Sequence, residues 1–87
     1  MTLTPSQQSA LKKLISAHCR NLRWPSTSHR RIAGGYREAR KASLYVLVRF
    51  GLATVDDDDL FTVSDDGLAL FAEFARQETA VIDRCFP

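Results

Sequence analysis

The spacing of apolar residues is clearest in the middle of the chain, between residues 36 and 50. One arc of a helix would be shared by residues at intervals of three and four, namely Ala39, Ser43, Val46, Leu47 and Phe50. Leu44 lies at the edge of this arc. This spacing predicts an amphipathic helix over 36–50 that rests on the core through that arc. A double glycine at 34–35 precedes the helix and Gly51 ends it.

An earlier helix is predicted over 4–22. Thr4 is its N-cap, and Gln7 completes a capping box three residues later. Its apolar stripe consists of Ala10, Leu11, Leu14, Ile15, His18 and Leu22. The pair Trp24-Pro25 disfavours further helix, so we expect a loop and one short helical turn at 27–33.

A hairpin and a last helix follow the central helix. Two short alternating runs predict a hairpin over 52–63, with its turn at 56–59. Ser64 then caps a helix predicted over 65–84. Its stripe consists of Leu68, Phe71, Ala72, Ala75, Thr79 and Ile82, flanked by Phe74 and Val81. The expected fold class is mainly α with a small β-hairpin, in the order helix, short helix, helix, hairpin, helix.

Charge divides the chain into two unlike halves. Residues 1–55 carry ten Lys or Arg and one acid, whereas residues 56–87 carry two Arg and nine acids. The net charges are therefore +9 and −7, within a formal total of +2. Either this asymmetry makes the molecule an electrostatic dipole, or the charges interleave in the fold as solvated groups.

Length and residue types narrow the function classes. Eighty-seven residues make one domain, 1–87. No catalytic set, phosphate-cradling glycine loop or metal-ligand spacing is present, so we expect neither an enzyme nor a cofactor. Cys19 and Cys85 are far apart and are expected to be free thiols. The opening MTLTPSQQ lacks the features of a signal peptide, and we expect a cytoplasmic protein.

The chain contains the stretches LTPSQQSALKKL, SLYVLVRFGLATV and LFTVSDDGLALF. Together they resemble the winged helix-turn-helix family of small prokaryotic and phage DNA-binding domains. LTPSQQSALKKL is similar to the opening helix of that family. SLYVLVRFGLATV is similar to the end of its recognition helix and the start of its wing, and LFTVSDDGLALF to the second wing strand and closing helix. The resemblance covers nearly the whole chain and implies a single winged-helix domain.

The resemblance implies a DNA-binding transcriptional regulator that inserts the Tyr36–Phe50 helix into the major groove. Arg and Lys side chains near the start of such a helix can bond the O6 and N7 acceptors of guanine. The residues expected at the bases are Tyr36, Arg37, Arg40 and Lys41. Arg30 and Arg31 are expected on phosphates, and Arg20 and Arg23 extend this basic edge.

Two departures from the family pattern point to a protein partner. The turn of the wing is Asp56-Asp57-Asp58-Asp59, which repels phosphate and suits a basic protein surface. Tyr45 and Val48 lie on the outward arc of the central helix, where apolar groups suggest a packed partner. The alternative function is therefore a phage-type interaction module or inhibitor that binds a host or viral nucleoprotein. A homodimer through the last helix is also expected, with Phe74 among the partner-binding residues.

Overall fold

The computed structural model describes residues 2–23 and 39–85. Within these ranges it contains four helices and two strands, namely α1 (Pro5–Arg23), α2 (Lys41–Arg49), β1 (Ala53–Val55), β2 (Phe61–Val63), α3 (Asp65–Leu70) and α4 (Ala72–Cys85). The mainly helical architecture with one hairpin confirms the expected class. The short helical turn expected at 27–33 lies outside the described residues.

The start of α1 follows the predicted capping box. The Thr4 amide donates to Gln7 Oε1 at 3.0 Å, and the Gln7 amide donates to Thr4 Oγ1 at 3.2 Å. Each side chain thus satisfies one backbone donor that the first helical turn leaves open. The end of the apolar stripe differs from expectation, because Cys19 is buried while Leu22 is 68% exposed.

The central helix begins later than predicted. α2 starts at Lys41, and Arg40 before it is extended, with φ −69° and ψ 132°. Ala39 and Leu44 are both buried, yet in one continuous helix they would lie on different faces, at about 100° per residue. The extended Arg40 lets both reach the core, and the prediction of a helix from residue 36 is therefore wrong at residues 39 and 40.

The buried face of α2 is also turned relative to the predicted arc. Ser43, Leu44 and Leu47 are buried, whereas Phe50, assigned to the core arc, is 39% exposed. Val48, assigned to the outward arc, is partly buried and packs against the core. Leu44 thus lies at the centre of the contact and not at its edge.

The hairpin has the predicted position and turn. β1 and β2 pair antiparallel, with Ala53 opposite Val63 and Val55 opposite Phe61. The Asp59 amide donates to the Asp56 carbonyl oxygen at 3.2 Å, which closes a β-turn at 56–59. Phe61 is buried and fixes one face of the hairpin on the core.

The predicted last helix is two helices. It is interrupted at Phe71, where φ is −122° and ψ is 46°. α4 packs along α1, whereas the shorter α3 contacts β2, α1 and α4. Ser64 caps α3 as predicted, since its Oγ accepts the Gly67 amide at 3.2 Å.

The core is formed where α1 crosses the other elements. Its larger buried side chains are Leu11, Leu14, Ile15, Leu44, Leu47, Leu52, Phe61, Val63 and Ile82. Of the predicted stripe on the last helix, Ile82 is buried, while Ala72 and Thr79 are exposed. No helix in the described ranges offers a stretch apolar and long enough for a bilayer.

Candidate nucleic-acid interface

Asp59 at the end of the acidic turn contacts two residues of α2. Lys41 Nζ lies 3.0 Å from Asp59 Oδ2, and Tyr45 Oη donates to Asp59 Oδ1 at 2.9 Å. The hydrogen bond from Lys41, then that from Tyr45, then the Lys41 charge lower the pKa of the Asp59 carboxyl from its ordinary value. One predicted base-contacting residue, Lys41, is therefore neutralised by the hairpin of its own chain.

The backbone of the turn holds Asp59 in this position. Asp56 Oδ1 accepts the amides of Asp58 and Leu60, each at 2.9 Å. Asp59 has a φ of 60°, in the left-handed region that Asp enters more readily than most residues. A β-turn followed by a left-handed residue is typical of short hairpin loops. Of the four aspartates, Asp57 and Asp58 remain as exposed carboxylates without such a role.

The apolar residues expected to meet a partner have neighbours within the chain. The Tyr45 ring packs edge-on against Phe61, with 5.1 Å between centroids, and Tyr45 is 41% exposed. Lys12 Nζ lies 5.5 Å from the centroid of the Phe74 ring, which is partly buried against the core. With the packing of Val48 described above, these contacts account for the apolar character of all three residues.

The predicted DNA-contacting residues divide into two sets. Arg30, Arg31, Tyr36 and Arg37 lie outside the described residues, as does the Arg23 side chain. Arg40 is exposed at the N-cap of α2. No acid occupies the first turn of α2, so the positive end of the helix dipole is not offset there by a carboxylate.

A polar groove separates the first turns of α1 and α2. It has a volume of about 320 Å³ and is lined by Pro5, Ser6, Ser9, Ala10, Lys13, Ala39, Arg40 and Ser43. Lys13 and Arg40 form no ion pair within the described residues. Sequence reasoning missed Lys13 and the serines, although Ser6, Ser9 and Lys13 follow the helical spacing that places them on one face of α1.

A second, apolar groove runs between the end of α1 and α4. It has a volume of about 720 Å³ and is lined by His18, Cys19, Leu22, Leu68, Ala69, Ala72, Ala75, Arg76, Thr79, Ala80 and Asp83. Cys19 is buried at its base, where Thr79 Oγ1 lies 3.3 Å from Cys19 Sγ. Arg76 and Asp83 are the charged side chains of this lining on α4, and Arg76 also pairs with Glu73.

Among residues 2–23 and 39–85, no three His, Cys, Asp or Glu side chains converge as metal ligands. No family model, curated protein or solved structure matches the chain. Any functional conclusion therefore depends on the residues and contacts described above.

Proposed function

We propose that the protein is a winged-helix DNA-binding regulator that places the start of α2 in the major groove. The observation that carries the proposal is the exposed Arg40 at the N-cap of α2, a helix without acids in its first turn. It belongs to a half-chain with a net charge of +9. A cationic side chain at this end of a helix suits guanine acceptors and phosphates.

The acidic turn limits the direction from which DNA can approach. Asp59 lies against Lys41 and Tyr45 on one side of α2, and carboxylates near phosphates are repulsive. Arg40 and Lys13 lie on the groove toward α1. DNA therefore approaches α2 from the α1 side, and the hairpin faces away from the duplex instead of acting as a DNA-contacting wing.

The proposed regulator is a homodimer through α4. Thr79 and Ala80 lie at the middle of an exposed stripe, with Arg76 and Asp83 equally far from that midpoint. In an antiparallel two-fold pair of α4 helices, Arg76 faces Asp83 of the partner subunit and the reverse contact is equivalent. The exposed Leu22 beside the groove supplies apolar area to the same surface. A two-fold dimer suits a palindromic site with half-sites about 34 Å apart.

Selection from a randomised duplex library, followed by gel-shift titration at several salt concentrations, tests the DNA proposal. The full chain should enrich related sequences, and its affinity should fall steeply as salt rises. Arg40→Gln should weaken binding at least tenfold. Arg84→Gln, which removes the same charge from the exposed last turn of α4, is the matched control. Absence of any salt-sensitive binding by the wild type rejects the proposal.

The contact of Asp59 with Lys41 favours a second candidate, a protein-interaction module. It holds the acidic turn in one geometry, with Asp57 and Asp58 exposed for a basic protein surface. If the protein is such a module, its binding to a basic protein surface would be lost in the double variant Asp57→Asn, Asp58→Asn. The Arg40→Gln variant would keep that binding. A DNA-binding protein should give the opposite result for both variants, so one pair of proteins separates the two functions.

A further inference from the structure

We propose that the polar groove between the first turns of α1 and α2 binds a phosphate group. This inference deepens the proposed function, because a DNA backbone phosphate is one source of that group. The other source is a free phosphate compound. Lys13, Arg40 and the hydroxyls of Ser6, Ser9 and Ser43 are the residues that would hold it.

Ser43 gives the clearest indication of a ligand. It is the buried polar side chain of α2, with a relative exposure of 9%. Its hydroxyl has no hydrogen-bond partner in the part of the chain that the structure describes. A largely buried hydroxyl without a partner in the protein is unfavourable. Because Ser43 lines the groove, a phosphate oxygen there would accept a hydrogen bond from its hydroxyl.

Both charged residues in the described lining of the groove are cations, which favours an anion. Lys13 from α1 and Arg40 from the N-cap of α2 line it from opposite sides, and both side chains are exposed. Neither is paired with a carboxylate within the described ranges. No Asp or Glu belongs to the lining. Two cations without a counter-ion, next to three hydroxyls, form a donor set that suits phosphate oxygens.

Two helix N-termini strengthen the same preference. Pro5, Ser6 and Ser9 belong to the first turns of α1, and Arg40 and Ser43 to those of α2. Neither helix has an acid in its first turn, and the N-cap of α2 makes no side-chain hydrogen bond. No carboxylate in either first turn therefore offsets the positive end of its helix dipole near the groove. The groove, with a volume of about 320 Å³, has room for a hydrated phosphate group.

Titration with inorganic phosphate, followed by amide NMR, tests the site itself. The amide signals of Ser6, Ser9, Arg40 and Ser43 should shift together and saturate. Lys13→Gln combined with Arg40→Gln should abolish the saturable shifts, whereas Arg84→Gln should keep them. Chloride at equal ionic strength should give no saturation. Uniform, non-saturating shifts in the wild type overturn the proposal.

Ser43→Ala separates ligand binding from folding. The variant removes an unpartnered buried hydroxyl, so its melting temperature should stay the same or rise. Its affinity for inorganic phosphate should fall severalfold. A variant that melts lower and binds phosphate like the wild type would show that the hydroxyl serves packing alone, and would overturn the role given to Ser43.

Duplex binding distinguishes the two sources of phosphate. If the groove holds the DNA backbone, the Lys13→Gln, Arg40→Gln variant should lower the slope of log affinity against log salt by about two. Saturable phosphate binding without any DNA binding supports a free phosphate compound and rejects the proposed function. DNA binding with an unchanged slope and no phosphate saturation keeps the proposed function and rejects this site.

Discussion

Asp59 and Lys41, eighteen positions apart in the chain, form an ion pair of 3.0 Å that joins the acidic turn to α2. Tyr45 shares the same carboxylate and packs its ring on Phe61. The ion pair with Lys41 and the hydrogen bond from Tyr45 therefore both hold the acidic turn on α2. This arrangement links the acidic half of the chain to a residue of its basic half.

The Asp59 contact predicts a change in stability at acid pH. Since the folded-state pKa of Asp59 lies below its ordinary value of 3.8, its contribution is present above that value and is lost as pH falls through the lower, folded-state pKa. Asp59→Asn should therefore melt below the wild type at pH 6, and the two should converge toward pH 2. Thermal melts between pH 6 and pH 2 measure this difference in melting temperature. Asp57→Asn, in the same turn, is the control and should differ little from the wild type at pH 6.

Gly67 is expected to tolerate no side chain. A Cβ there would overlap the Leu52 carbonyl oxygen and lie 2.7 Å from Val63 Cγ2. Gly67→Ala should lower the free energy of unfolding by about 3 kcal/mol, because α3 must move away from the hairpin. Urea titration measures the change.

Gly51 provides the comparison for that substitution. Its φ is +77°, but no atom of the described residues, its two chain neighbours aside, lies within 4 Å of the position that a Cβ would occupy. Backbone strain is therefore what opposes alanine there. Gly51→Ala should cost about 1–2 kcal/mol. An equal or larger loss than in Gly67→Ala would contradict the close approach of α3 to Leu52.

Substitution of the two N-cap residues, Ser64 and Thr4, should lower the free energy of unfolding by unequal amounts. Ser64 Oγ accepts the Gly67 amide and also donates to the Gly51 carbonyl oxygen at 2.6 Å. Thr4 Oγ1 makes one exposed bond, to the Gln7 amide. Ser64→Ala should therefore cost about 2 kcal/mol and Thr4→Ala about 0.5–1 kcal/mol in urea titrations. Equal losses in the two variants would mean that the hydrogen bond from Ser64 to Gly51 adds nothing to the stability of the fold.

The dimer register predicts the outcome of a charge exchange. Arg76→Asp places two acids opposite each other in the antiparallel α4 pair and should shift light-scattering mass toward the monomer. Asp83→Arg should do the same, and the double variant should restore the dimer because the pairs are re-formed with reversed sign. A wild type that is monomeric at high concentration, or a double variant that stays monomeric, contradicts this register.

Local sequence rules predicted the features that depend on neighbouring residues. The capping box at Thr4 and Gln7, the Ser64 cap and the 56–59 turn are set by side chains three or fewer positions apart, and all three are confirmed. The hairpin was predicted for the same reason. Periodicity also identified α1 within one residue at each end.

The errors arose where tertiary packing decided the outcome. The start of α2 depends on Ala39 and Leu44 both reaching the core. The break at Phe71 falls where the chain leaves its contacts with β2 and begins the long packing of α4 on α1. The polar groove was missed because Lys13 and Arg40 are distant in sequence and become neighbours only through the crossing of two helices. No spacing rule within one segment could bring them together.

The packing of α1 on α4 has a consequence for the order of folding. Cys19 contacts Ala75 and Thr79, which follow it by 56 and 60 residues, and Ile82 completes the core. During synthesis α1 therefore lacks its final neighbour until α4 has left the ribosome. Closing so long a loop is entropically costly and slows folding. Until then the part of α1 around Cys19, which packs on α4, stays uncovered, while its contacts with α2 and β2 can already form. Chaperones that hold exposed apolar surface therefore have this part of α1 as a target.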